Sequence, residues 1–186
     1  YGCEQQRQKR VPGPLTKRDR APQWAVSVAA AAMGHAGYEG EGKDCDRLRT
    51  GVAFANAVGG ENRNLSTIRI YSNHTKELAQ SFGMPTANGD AFVDAINTGA
   101  PRVNEDTMPG ELANVVAGRV SNLLDLQGPN FAMDAACASS LATLMDACRL
   151  LPMRQGDVMI AGATDRRMDA PTFVKFRASR PISTTL

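Results

Sequence analysis

Aromatic side chains are scarce in this 186-residue chain: one Trp, three Tyr and six Phe. So few rings argue against the base-stacking platforms that bind single-stranded nucleic acid. Histidine is scarcer still, with His35 and His74 alone, and the four cysteines at positions 3, 45, 137 and 148 form no CxxC pair. No zinc-finger spacing exists, and no metal site is expected. Four scattered cysteines in a chain of this length do not make a disulfide framework either, and they read as reduced thiols. No window approaches the roughly 18 consecutive apolar residues of a membrane helix. The longest such stretch, Trp24–Met33, is interrupted by Ser27 and built mainly from alanine. The first twenty residues are polar and basic, with no apolar segment of the kind that marks a secretory signal. These absences lead to the expectation of a cytoplasmic protein without a membrane span or a nucleic-acid partner.

What is present suits a globular domain: 42% of residues are hydrophobic and 22% charged. The charge is uneven. Residues 1–20 carry six basic and two acidic side chains, whereas the whole chain has a net charge of only +2. Residues 1–21 therefore read as a basic, solvated segment. Nucleic-acid binding through that segment would rest on residues 5–20 alone.

The pattern along the chain alternates strands and helices. Ala21–Gly37 reads as a helix, with Pro22 at its start and Gly34 or Gly37 as a stop. Arg49–Ala57 is a short apolar run that predicts a buried strand. Residues 61–106 are weakly patterned, with short helices around Thr75–Phe82 and Ala91–Asn97 and long loops between them. From Pro109, with Asp106 and Thr107 as caps, Leu112, Val115, Val116, Val120, Leu123 and Leu124 recur at helical spacing. Gln127–Gly128–Pro129 marks a turn. Asn130–Ala136 then predicts a strand, Cys137–Leu151 a helix, and Val158–Ala163 a second strand. Ala138, Leu141, Ala142, Met145, Cys148 and Leu151 share one face of that helix, which places Cys148 in the core. Two continuously apolar strands joined by a helix make a βαβ unit with parallel strands covered on both faces, so the class is α/β.

Chemistry concentrates at Asp134-Ala135-Ala136-Cys137-Ala138-Ser139-Ser140, where strand gives way to helix. A sharp turn there would lift Cys137 over the unpaired amide N–H groups of the helix's first turn. Those dipoles favour a thiolate, and the same donors could face an oxyanion on a carbonyl that Cys137 attacks. Small neighbours leave room for that carbonyl, an arrangement that suits acyl-thioester formation. Taken alone, such a cysteine is more often inert packing than a nucleophile. Cys3 and Cys45 have no activating context.

Residues 118–141 (GRVSNLLDLQGPNFAMDAACASSL) resemble the active-site segment of the β-ketoacyl synthase family, with its D-x-A-C-A-S-S-L nucleophile motif. The resemblance runs upstream through NEDTMPGELANVVAGRV at 104–120 and downstream through GDVMIAGATDRRMDAPTFVKF at 156–176. It extends more weakly to Trp24–Gly37 and Thr50–Gly60, and so covers 22–176. The MPGELAN and MDAPTFVKF pieces are most similar to synthase domains of iterative polyketide and polyunsaturated fatty-acid assembly lines. The resemblance implies the N-terminal half of a thiolase-like fold, a layered α/β arrangement with a mostly parallel sheet. It also implies that Cys137 takes an acyl chain from an acyl carrier protein or coenzyme A thioester. In a complete domain, decarboxylative condensation with a malonyl carrier would follow. The implied partners are acyl carrier protein, acyl and malonyl thioesters and a second copy of the chain, with phosphopantetheine as the substrate's carrier arm and no bound cofactor. Ser139 and Ser140 would hold the turn and cap the helix.

Some positions depart from that pattern. The family's two decarboxylating histidines belong to the second half of its domain, and His35 and His74 do not match them. Residues 177–186 (RASRPISTTL) diverge, and the basic opening has no counterpart. A half-domain is expected to leave an apolar face uncovered, including Val158–Ile160 and the Leu112–Leu124 helix. The residues thus support either a synthase-type acyl transferase, in a truncated form unable to condense alone, or an inert synthase-like module for binding or dimerisation.

Overall fold

Thr50–Ala55 forms strand β1, and all six of its residues are buried. The computed structural model describes residues 20–38, 45–56, 62–105, 107–165 and 170–179. Cys3, Asp106, Gly59 and Gly60, most of the basic segment at 1–21 and residues 180–186 of the divergent end lie outside them. β1 is the centre of a parallel sheet of order β2-β1-β3, with β2 at Asn130–Met133 and β3 at Val158–Ala163. Val52 pairs with Asn130 on one side and Ile160 on the other. The βαβ unit is therefore present and parallel, with two corrections to the sequence reading. β1 lies between its strands, and the strand covered on both faces is β1, whereas β2 and β3 are edges with partly exposed residues. β2 also stops at Met133, three residues short of the predicted end.

Two helices cover one face of the sheet. α1 (Arg20–His35) presents Ala25, Ala29 and Met33, spaced by four, to a core shared with Val52, Phe54 and Ile160. Alanines at those positions let its backbone lie close to its neighbour, as helix propensity and packing both favour. The helix ends at His35, and of the two predicted stops it is Gly37 whose φ of +82° closes the turn, while Tyr38 N–H donates to Met33 O at 3.0 Å. The second helix was expected as one piece from Pro109. It is instead two: α4 (Thr107–Glu111) and α5 (Ala113–Leu124), broken where Leu112 is extended at ψ 123°. Val116, Ala117, Val120 and Leu124 of α5 fill the core against α1, whereas Leu112 is exposed. The predicted Gln127–Pro129 turn then runs along the start of β1: Gly128 N–H donates to Thr50 O and Val52 N–H to Pro129 O.

The stretch at 61–106 holds no long loops among its described residues. α2 (Asn62–Ser81) and α3 (Thr86–Gly99) pack on each other, and α2 also touches α4. Arg69 donates to the carbonyls of Asn97 and Ala100, and Ser66 Oγ donates to Glu111 Oε1. Few of the apolar side chains on these helices are buried: Leu65, Ile68, Ile70, Tyr71 and Leu78 of α2 and Phe92 of α3 are exposed. Their apolar periodicity is correspondingly faint.

The other face of the sheet carries α6 (Ser139–Leu150), which packs on β1 and β3. Here the sequence reading is reversed. Ser139, Thr143 and Ala147 face inward, while Leu141, Met145, Cys148 and Leu151 are exposed. β1 offers this helix Gly51, Ala53 and Ala55 by strand alternation, and a surface of such small residues accepts a helix face of equally small ones. An uncovered apolar face accordingly lies on α6. Ile160 and the α5 residues Val116, Val120 and Leu124, expected to be open, are buried. α7 (Ala170–Ala178) closes the described chain. No described helix is long and apolar enough to cross a membrane.

Candidate active site

All three strands run parallel, so their carboxyl ends share one edge of the sheet, the edge where open α/β sheets place ligands. At that edge β2 gives way to α6 through a turn of five residues, Asp134–Ala138. Its last three form a tight helical turn, Ala136–Ala138. Cys137 is the middle residue of that turn, and it is exposed.

The turn is built from its own short side chains. Ala136 adopts φ +48°, the left-handed region that residues with a Cβ occupy at a cost of about 1–3 kcal/mol. Asp134 Oδ1 accepts the N–H of Ala136 at 2.9 Å, closing an Asx-type turn. Ser139 Oγ accepts the N–H of Ala135 at 2.9 Å and donates to the carbonyl of Ala136 at 2.6 Å. Ala138 N–H donates to Ala135 O at 3.1 Å. One turn further on, Thr143 Oγ1 donates to Ser139 O at 2.8 Å and anchors the start of α6 from its buried side.

Ser139 thus holds the turn, as the sequence suggested, but it does not cap the helix. The position before α6 is Ala138, which offers no side-chain cap, and Ser139 is the first helical residue. Ser140 is exposed and takes no part in these bonds. Asp134 stands in the motif without a role in the sequence reading, although a signal existed, since Asp two residues before a strained position is the pattern of an Asx turn. The left-handed Ala136 carried no such signal. Of the remaining cysteines, Cys45 is half-buried against the core and Cys148 is exposed on α6. His35 closes α1 and His74 lies within α2 rather than in a loop; both are exposed, and neither is on the elements that carry Cys137.

Comparison with known proteins gives this turn its context. The family described as "Beta-ketoacyl synthase, N-terminal domain" matches residues 9–185, nearly the whole chain. The chain belongs to the β-ketoacyl synthase family. Among its relatives is the 3-oxoacyl-[acyl-carrier-protein] synthase 2 of Rhizobium meliloti (strain 1021), 28% identical over 165 residues that cover 87% of this chain and 32% of that protein. Another belongs to the polyunsaturated fatty acid synthase of Thraustochytrium sp., 38% identical over 88 residues, or 47% of this chain and 3% of that protein. A solved β-ketoacyl synthase from Burkholderia phymatum STM815 superposes with a TM-score of 0.63 at 22% identity, covering 93% of this chain and 38% of the other. That likeness establishes the fold, the layered α/β arrangement of a ketosynthase. This synthase-family chain spans about a third of the length of the Rhizobium relative.

Proposed function

We propose that the chain performs the acyl-transfer half of a β-ketoacyl synthase reaction, with Cys137 as the acyl acceptor. The observation that supports this reading is the placement of the D-A-A-C-A-S-S-L segment. Its cysteine is exposed on a tight turn at the carboxyl edge of a parallel sheet, in a chain of the synthase family. The donor is an acyl chain on a phosphopantetheine thioester, carried by acyl carrier protein or coenzyme A. Cys137 Sγ attacks the thioester carbonyl carbon. A carbon–sulfur bond to Cys137 forms, the bond to the pantetheine sulfur breaks, and the departing thiol takes up the proton released by Cys137. Exposure of the thiol matters here, because the incoming carbonyl must approach within van der Waals contact before the bond exchange begins. In a complete synthase domain the acyl group would then condense with a malonyl carrier, and a second copy of the chain is the proposed oligomeric partner. His35 and His74, on α1 and α2, receive no role in that second step.

The deciding experiment is intact-mass spectrometry of the chain incubated with an acyl-coenzyme A or acyl-carrier thioester, beside a Cys137→Ala variant and a Cys148→Ala variant. One acyl adduct is expected on the wild type and on Cys148→Ala, and none on Cys137→Ala. A folded wild-type chain that stays unmodified would sink the proposal and favour a non-catalytic binding module.

A further inference from the structure

We infer that Asp134 and Ser139 are positioning residues that hold Ala136 in its left-handed conformation and so keep the Cys137 thiol presented at the sheet edge. This rests on the reading of Cys137 as acyl acceptor. Ala136, at φ +48°, occupies a region that a residue with a Cβ avoids, so the turn does not hold itself. Side chains on either side of it secure both polar groups of that one residue. Its N–H is taken by Asp134 Oδ1 at 2.9 Å and its carbonyl by Ser139 Oγ at 2.6 Å. The same Ser139 hydroxyl accepts the N–H of Ala135, which fixes the residue before as well. Ser139 is buried whereas Cys137, two residues earlier, is exposed. Ser139 therefore fills the inner side of the turn, while the exposed Asp134 and the thiol lie on its outer side.

A simple helix-starting role does not account for the arrangement. The position that would cap α6 is Ala138, without a side-chain bond, and both clamping side chains bond to Ala135 and Ala136, upstream of the helix. Their hydrogen bonds serve the conformation of the residue that immediately precedes Cys137. Relaxation of Ala136 to a negative φ would redirect the chain at that point and change where Cys137 and Ser139 face.

The test is the rate of alkylation by iodoacetamide on the full chain, resolved by site with peptide mass spectrometry, followed from neutral to alkaline pH with exposed Cys148 as internal reference. Asp134→Ala is expected to slow Cys137 by about fivefold relative to Cys148, the scale of one lost hydrogen bond. Asp134→Asn, whose amide oxygen still accepts, keeps the wild-type rate. Adding Ala136→Gly to Asp134→Ala restores it, because glycine occupies the left-handed region at no steric cost. All three variants remove the Asp134 carboxylate charge, so the wild-type rate in Asp134→Asn and in the double variant separates the lost hydrogen bond from the lost charge. Circular dichroism checks folding. If Asp134→Ala unfolds the chain, Asp134→Asn and the Asp134→Ala/Ala136→Gly double variant decide instead, and a slow Cys137 in either overturns the inference. So does a folded Asp134→Ala chain that reacts like wild type. A fast Cys137 indifferent to Asp134 overturns the clamp alone. A wild-type Cys137 that takes no acyl group and reacts no faster than Cys148 overturns the nucleophile reading, and the inference with it.

Discussion

Arg49 and Asp157 meet where β1 and β3 begin, at the end of the sheet opposite Cys137. The guanidinium grips the carboxylate with two bonds, Nε to Oδ2 at 2.6 Å and Nη2 to Oδ1 at 2.7 Å, and Nη2 also reaches Arg154 O at 3.2 Å. Asp157 N–H returns a bond to Arg49 O at 2.8 Å, so backbone and side chains register the two strands together. The hydrogen bond from Arg49, helped by its charge, holds the Asp157 carboxyl below the usual carboxylate range, and the same contact raises the Arg49 guanidinium above its ordinary value. A carboxyl depressed in the folded state contributes stability above its unfolded pKa and loses that contribution as pH falls through its folded pKa. Both side chains are substantially exposed, so solvent screens the pair and its contribution is small. The expected result is a melting temperature for Asp157→Asn slightly below wild type at neutral pH. The gap should close as acid carries the wild-type carboxyl below the ordinary carboxylate range. Thermal melts of both chains across that pH range check it, and a gap that persists or widens in acid would refute the assignment.

At the scale of elements, the sheet is drawn together at places where a side chain would not fit. A Cβ on Gly128 would lie 2.6 Å from the carbonyl carbon and oxygen of Thr50, and one on Gly162 would lie 2.6 Å from the Phe54 ring. The two clashes differ in what can yield. Gly128 meets the backbone of a fully buried strand, whereas Gly162 meets a side chain, though one packed in the core. Gly128→Ala is therefore expected to destabilise the chain more than Gly162→Ala, with the latter costing about 1–3 kcal/mol, the usual range for overpacking. Phe54→Leu combined with Gly162→Ala should cost less than the two single changes added, because the shorter side chain makes room for the new methyl. Urea unfolding of the four variants measures this, and strict additivity would show that the ring contact is not the cause. The same close packing explains which elements were legible. β1, α1, α5 and the Asn130–Leu151 strand–turn–helix stand out because apolar or small residues recur at the period of the element. α6 was read with the wrong face inward because Leu141, Met145 and Leu151 look like a core stripe. The sheet beneath it is lined with Gly51, Ala53 and Ala55, and it takes Ser139, Thr143 and Ala147 instead. Spacing reveals that a helix has an apolar side; what lies opposite depends on strands remote in sequence. Cys137 was legible from its motif, and the left-handed Ala136 beneath it was not, since alanine carries no mark of that conformation.

For the whole molecule, the choice made at α6 decides what the surface looks like. Burial is concentrated on the other side of the sheet, where α1 and α5 close over Val52, Phe54 and Ile160. The outer side of α6 keeps Leu141 at 71% exposure, Leu144 at 52% and Met145 at 48%, neighbours three and four residues apart on one helical surface. Scattered exposed leucines need no explanation, but a contiguous apolar stripe on one helix offers water a surface that hydrophobic dyes recognise. The chain in neutral buffer is therefore expected to bind 8-anilinonaphthalene-1-sulfonate without denaturant. Replacing Leu141 and Leu144 together by glutamine should lower the dye signal, because glutamine keeps the helix and removes the apolar stripe. Unfolding stability should stay within about 0.5 kcal/mol of wild type, since neither side chain contributes to the core. A fluorescence titration beside a urea melt of both chains tests the two statements together. Loss of stability in the double variant would mean that Leu141 and Leu144 are buried in solution. An unchanged dye signal would move the open apolar surface elsewhere, with the exposed Ile68, Ile70 and Tyr71 of α2 as the next residues to change.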